Sequence, residues 1–218
     1  MKKKKTITKE QLISFYINFV LENNHKPDSA YTFAKLNNFE ESTFYQFYGT
    51  LEALEEDILL EFFNNSVKVL DKSDDYLNYD SRNKLLSFYF TFFENLTANR
   101  SFILYLLGEN KSKIGVLKHL KSLRKAFIKY VKALDIEVMQ IKDKRLEKIQ
   151  ERSLNESYWL QLVATLKFWM DDVSPSFEKT DLFIEKSTNA SFDLLNVIPV
   201  KSVLDFGKFI FKEKLNMN

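Results

Sequence analysis

Across 218 residues the chain carries only four glycines and three prolines. Sandwiches and barrels turn back every ~8–12 residues and use such residues to do it, so a sheet fold has almost nowhere to turn. Against that scarcity stands a hydrophobic content of 45%, with 15% aromatic residues, 21 of them Phe. That is ample for a core built from helix faces. An all-α protein of about ten helices is expected, either one large domain or a small head on a larger body.

Capping signals and 3.6-residue spacing divide the chain. Thr8 with Gln11 forms a capping box, and Leu12, Ile13, Phe15, Tyr16, Phe19 and Val20 follow at helical spacing to about Asn24. Asp28 or Ser29 caps a short helix with Ala30, Phe33 and Ala34 inside. A second short helix is expected over 39–47, then a long one capped by Thr50. Two short helices in a tight turn, braced by a longer one, describe a helix-turn-helix over Ser29–Leu54. Downstream, 71–79 reads as a polar connector, and Asp80 caps an aromatic-rich helix. Asn99-Arg100-Ser101 opens a short helix that Gly108 ends, and 113–134 reads as one basic amphipathic helix. The charge-rich 136–153 is a helix extension or a loop. Helices are then expected over 155–170, 178–197 and 200–215, separated by Ser174-Pro175 and Pro199. The domain organisation expected is a head over 1–54 and a helical body over 55–218.

Charge and composition exclude several classes. The net charge is +2, and there are no cysteines and only two histidines, His25 and His119. Disulfides and thiolate metal sites are excluded, and a histidine site is not expected. His119 is expected to face solvent. No cofactor is expected. No apolar run reaches the ~20 residues of a membrane span, and no signal peptide follows the Lys2–Lys5 tail, so a cytoplasmic protein is expected. There is no phosphate loop, nucleophile elbow or acid–base dyad, so no enzyme activity is expected. Between residues 6 and 50, Lys9, Lys26 and Lys35 stand against Glu10, Glu22, Asp28, Glu40 and Glu41. Phosphate neutralisation supplies most of a DNA-binding head's affinity, and this head is slightly acidic without its tail.

The order Ser29, Phe33-Ala34, Asn38, Thr43, Phe44, Tyr45, Tyr48, Thr50-Leu51-Glu52, Leu54 resembles the TetR family of bacterial transcription regulators. The resemblance covers roughly residues 8–60. It implies a DNA-binding head on a ligand-binding, dimerising body, with double-stranded DNA as partner. The DNA contacts it implies are Lys26, Thr43, Tyr45, Gln46 and Tyr48, with Thr43 and Gln46 at base edges and the two tyrosines at phosphates. The alternative is that the rings at 44, 45, 47 and 48 are head core, Phe44 and Phe47 foremost. Two departures weaken phosphate contact: Leu51 stands where the family has a lysine, and Glu40 and Glu41 open the recognition helix. Asn38 replaces the family's turn glycine and tolerates a left-handed backbone.

A second resemblance lies at Asp172–Phe183. It is similar to the C-terminal signature of TetR-fold lipid-binding accessory proteins of ubiquinone biosynthesis, which implies an alternative function: a lipid-binding module that no longer reads DNA and works at a membrane or with a UbiB-type kinase. The plain structural reading is a stop at Ser174-Pro175, a staple by Phe177 and a restart capped near Ser176. The helix over 200–215 has one apolar and one lysine-rich face, suited to a membrane surface, a protein partner or its own body. In the body, Phe88, Phe92, Tyr105, Phe127, Trp159, Val163, Leu166 and Trp169 fall on inward faces and either line a pocket for an apolar or lipid-like small molecule or fill a core. By the family resemblance and their broad apolar faces, 155–170 and 178–197 are the expected homodimer interface.

Overall fold

The computed structural model describes residues 7–108, 113–138 and 143–197. Among them there are eleven α-helices and no strand: α1 Lys9–Asn23, α2 Ala30–Leu36, α3 Glu41–Tyr45, α4 Leu51–Leu70, α5 Asp74–Asn78, α6 Ser81–Thr97, α7 Arg100–Leu107, α8 Lys113–His119, α9 Lys121–Ala133, α10 Lys144–Asp171 and α11 Glu178–Val197. A 3-10 turn, Pro175–Phe177, precedes α11. The all-α expectation holds. No helix among the described residues is long and apolar enough to cross a membrane. The helix expected over 200–215 and the Lys2–Lys5 tail lie outside the described residues.

The described residues fall into two compact units, one drawn from Met1–Leu70 and Thr91–Ala126, the other from Asp71–Phe90 and Phe127–Asn218. In the first unit, α1 starts on the expected capping box: Thr8 Oγ1 accepts from Gln11 N–H at 3.3 Å, and Gln11 Oε1 accepts from Thr8 N–H at 3.1 Å. Asn24, at φ 56°, ends it in the left-handed conformation. Ser29 caps α2 through Thr32 N–H at 3.1 Å, and Thr50 caps α4 through Ala53 N–H at 3.1 Å. Phe33 is the centre around which the short helices close. Its fully buried ring meets Tyr16, Phe39 and Phe44 edge-on, at centroid distances of 5.9, 5.5 and 6.2 Å. α7 joins this core through Phe102, 6.3 Å from Tyr16.

In the second unit the N-terminal half of α6, the C-terminal half of α9 and α10 share an aromatic core. Phe88 lies 5.6 Å from Phe127 and 4.8 Å from Tyr130, and Phe127 lies 6.5 Å from Trp159. α10 and α11 are joined by Gln161, whose side chain donates to Thr188 Oγ1 at 3.1 Å and accepts from Ser191 Oγ at 2.9 Å.

Several expected boundaries move. The connector at 71–79 contains α5, because Ser73 caps it and Asp74 and Asp75 sit where the helix dipole favours acids. The helix expected over 113–134 divides at the buried Leu120, although the bonds from Leu120 N–H to Val116 O and from Arg124 N–H to Leu120 O continue through it; it is a kink rather than a stop. The charge-rich segment resolves as a helix extension from Lys144 onward. His119 does not face solvent: its side chain is 12% exposed and its Nε2 lies 4.0 Å from Glu55 Oε2. The restart before α11 is not capped near Ser176, because Ser176 and Phe177 both have positive φ, 51° and 60°. Asp172 and Ser174 make that cap instead: Ser174 Oγ accepts from Lys179 N–H at 3.2 Å and Asp172 Oδ2 from Thr180 N–H at 2.9 Å.

Candidate nucleic-acid interface and ligand site

α2 and α3 are held in helix-turn-helix relation by local chemistry. Asn38 takes the left-handed conformation at φ 55°, which lets Phe39 N–H reach the Ala34 carbonyl at 3.0 Å. The close approach relies on Ala34, itself buried. α3 has one buried side chain, Phe44, and the next turn inward is Tyr48, four residues on. That period places Tyr45, Gln46 and Phe47 outside and leaves Thr43 half-buried. Phe47, expected in the core, is 38% exposed, while Tyr48 is only 6% exposed.

Of the residues expected at DNA, the exposed ones with polar groups are thus Lys26, Tyr45 and Gln46, flanked by the half-buried Thr43. The Tyr45 hydroxyl donates to Glu41 Oε1 at 3.0 Å, a bond that raises the phenol's pKa. The Tyr48 hydroxyl donates to Asp57 Oδ2 at 2.7 Å, and burial together with that carboxylate raises its pKa strongly. Tyr48 therefore braces α3 against α4 from within. Lys26 pairs with Glu52 at 2.6 Å. Lys9 is held between Asp57 at 2.6 Å and Glu61 at 2.5 Å, whose pull on the ammonium outweighs its desolvation and raises its pKa. Leu51 is 8% exposed and belongs to the core, so the position where the resemblance places a lysine serves packing.

Over residues 7–70 the sequence holds four lysines against ten carboxylates, a formal charge of −6. Lys35, exposed on α2, is the cation of α2 and α3, and no ion pair engages it among the described residues. The sequence already offers it, with Lys26, as a cation for phosphate. Its signal was available: it lies on the outward face of α2, one turn beyond Tyr31. A second polar feature of this unit is invisible in the sequence. The buried Glu55 accepts a short hydrogen bond from Tyr16 and faces His119.

The aromatic set expected to form a ligand pocket is divided between the two units. Phe92 and Tyr105 belong to the first, and Phe88, Phe127, Trp159, Val163, Leu166 and Trp169 to the second. Phe88, Phe127 and Trp159 are in ring contact with one another and buried, so they fill the space between them. Trp169 is fully buried and packs on Phe177 at 6.3 Å, and Leu166 is 4% exposed. Val163 is half-buried. These residues serve as core, and a concave site lies elsewhere in the second unit. A cleft of ≈ 290 Å³ opens at the C-terminal end of α9 and the N-terminal half of α10, floored by Tyr158 and walled by Val131, Ile136 and Leu154. Burial pushes the Tyr158 phenol up to about 12, so it stays protonated.

The Asp172–Phe183 stretch has a local account. Asp172 is 6% exposed and accepts four hydrogen bonds: Ser174 N–H at 2.8 Å, Ser174 Oγ–H at 2.7 Å, Thr180 N–H at 2.9 Å and Thr180 Oγ1–H at 2.7 Å. Burial alone would raise its carboxyl, but these donors outweigh it and hold the pKa well below the usual range. Residues 84–210 match the family model described as "Tetracyclin repressor-like, C-terminal domain". No curated protein matches the chain.

Proposed function

We propose, proceeding from the fact that this chain belongs to the tetracyclin repressor-like family, that it is a homodimeric regulator of transcription without a reaction of its own. In this reading it acts in the cytoplasm, reads duplex DNA through α3 and responds to a small apolar or amphipathic molecule in its body. The observation that carries the reading is the α2–Asn38–α3 unit, closed over Phe33 and presenting Tyr45, Gln46 and Lys35 outward. Gln46 and Thr43 would read base edges and Lys35 a phosphate, while Tyr48 holds α3 in place from inside.

Dimerisation would use α10 and α11. Leu160, Leu182 and Leu194 are 64, 51 and 53% exposed on these helices, and Phe168 stacks on Phe183 at 4.6 Å with an edge still open. Apolar side chains in such number on one helix pair suit a four-helix interface with a second copy.

Selection of sequences from a randomised duplex at ~50 mM salt tests the DNA reading, because phosphate contacts are strongest there. Enrichment of a motif that Gln46→Ala relaxes supports it. A pool that stays random rejects it.

A second reading keeps the fold and the ligand but gives up DNA: a lipid-binding accessory module. The ion-paired Lys9 and Lys26 and the formal −6 of residues 7–70 favour it. Flotation of the full chain with anionic vesicles, set beside a chain ending at residue 199, separates the two. Loss of flotation on truncation supports a membrane role for 200–218, and unchanged behaviour removes it.

A further inference from the structure

The α9–α10 cleft carries more information than its shape. Its walls are apolar at Val131, Ile136 and Leu154. Tyr158 at its floor is 4% exposed, and its hydroxyl has no hydrogen-bond partner among the described residues. That oxygen is closed to solvent, so what Tyr158 shows the cleft is its ring, which continues the apolar walls. The volume, ≈ 290 Å³, lies at the small end of the ~300–1,000 Å³ typical of small-molecule sites.

The rim fixes the charge of what would enter. Lys132 Nζ is bound to Glu151 at 2.7 Å and so is cancelled. Asp135 and Glu147 also line the cleft, and no ion pair engages either among the described residues. Asp135 is held at the rim by the backbone, since it ends α9 in the left-handed conformation at φ 50°. The lining as a whole has one lysine against three carboxylates. An anion is repelled there, and a neutral apolar molecule leaves both carboxylates uncompensated. An organic cation with an apolar portion meets both the apolar walls and the carboxylates of the rim.

We propose that this cleft binds a monocationic amphiphile, its apolar part against Val131, Ile136 and Leu154 and its charge between Asp135 and Glu147. This rests on the reading of the body as ligand-responsive, and it moves the ligand away from the Phe88–Trp159 rings. It does not depend on the head reading DNA.

Calorimetry on the full chain tests it with three probes that share a tail: decyltrimethylammonium, decyl sulfate and decanol, all kept below micellar concentration. The cation binds one per chain, and the sulfate binds at least about tenfold more weakly. Glu147→Gln and Asp135→Asn each weaken the cation about threefold and leave decanol unchanged. Glu147 is exposed, so its variant folds as the parent does. Leu154→Trp, which fills the cleft, removes binding. Equal affinity for the cation and the sulfate overturns the proposal, as does cation binding unmoved by Glu147→Gln and Leu154→Trp. If decanol or the sulfate binds tightly and ignores the cleft variants, the cleft assignment falls while a ligand-responsive body stands. Absence of binding by all three probes overturns both.

Discussion

Glu52 decides what Lys26 can offer a phosphate. The pair at 2.6 Å joins residues 26 apart in sequence, on the loop before α2 and on the first turn of α4. Both side chains are largely exposed, so the pair adds little stability, but it occupies the ammonium. Glu52→Gln is therefore expected to leave stability within about 0.5 kcal/mol and to strengthen duplex binding, steepening its salt dependence by about one phosphate contact. Fluorescence anisotropy at several salt concentrations reads this; an unchanged slope would show that Lys26 does not reach DNA. Asp172 acts at the same scale in the body. Its folded-state pKa lies below the unfolded value of about 3.9, so its contribution is fully present above that pH and is lost as pH falls towards the folded value. Asp172→Asn should lower Tm at pH 7, with the gap to the parent closing below about pH 4. A gap independent of pH would mean that the carboxylate's charge is not what its donors hold. Single residues were unevenly legible in the sequence. Asn38 and Leu51 declared themselves because each replaces a residue type that the turn or the phosphate needs. The partners of Lys26, Lys9 and Glu55 did not, because ion pairs across 26 to 64 residues leave no periodic trace.

At the scale of elements, α3 owes its place to Phe33 more than to its own five residues. A helix this short has no stability alone, so the edge-on ring contacts from Phe33 to Phe39 and Phe44 hold it in register. Phe33→Ala is expected to cost about 3–5 kcal/mol and to remove DNA retention along with it. Chemical denaturation checks the first part; a loss under about 1 kcal/mol would contradict the account of the core. Where a cap and a 3.6-residue pattern coincide, as at Thr8, Ser29, Thr50 and Asp80, the helix starts are readable directly from the residues. The N-terminal part of α10 was open between helix and loop, because residues 144–153 are charged and a solvent-exposed helix shows little apolar period. The kink at Leu120 carries no Gly or Pro to announce it. Phe47 and Tyr48 exchange places relative to expectation, since only the i, i+4 relation of Phe44 and Tyr48 survives once α3 ends at Tyr45. The α9–α10 cleft was the least legible part. Inward-facing aromatics were readable, but whether rings touch or enclose space depends on packing that the sequence does not encode locally.

At the scale of the whole molecule, the proposal needs two copies. Leu160, Leu182 and Leu194 would be covered in a dimer, and Leu160→Glu with Leu194→Glu is expected to yield a folded monomer by light scattering, with helical circular dichroism unchanged. A dimer that persists would place the interface elsewhere. In the proposed function an acidic head on this fold still reads DNA with few cations. Lys35 and the four tail lysines of each head could reach at most five phosphates, ten in the dimer, so log K should fall linearly with log salt at a slope no steeper than about −9. The direct measurement is a salt titration of duplex binding by the intact chain, starting near ~50 mM. Measurable binding with a negative slope within that bound is the predicted result. Absence of binding at the lowest salt would contradict it.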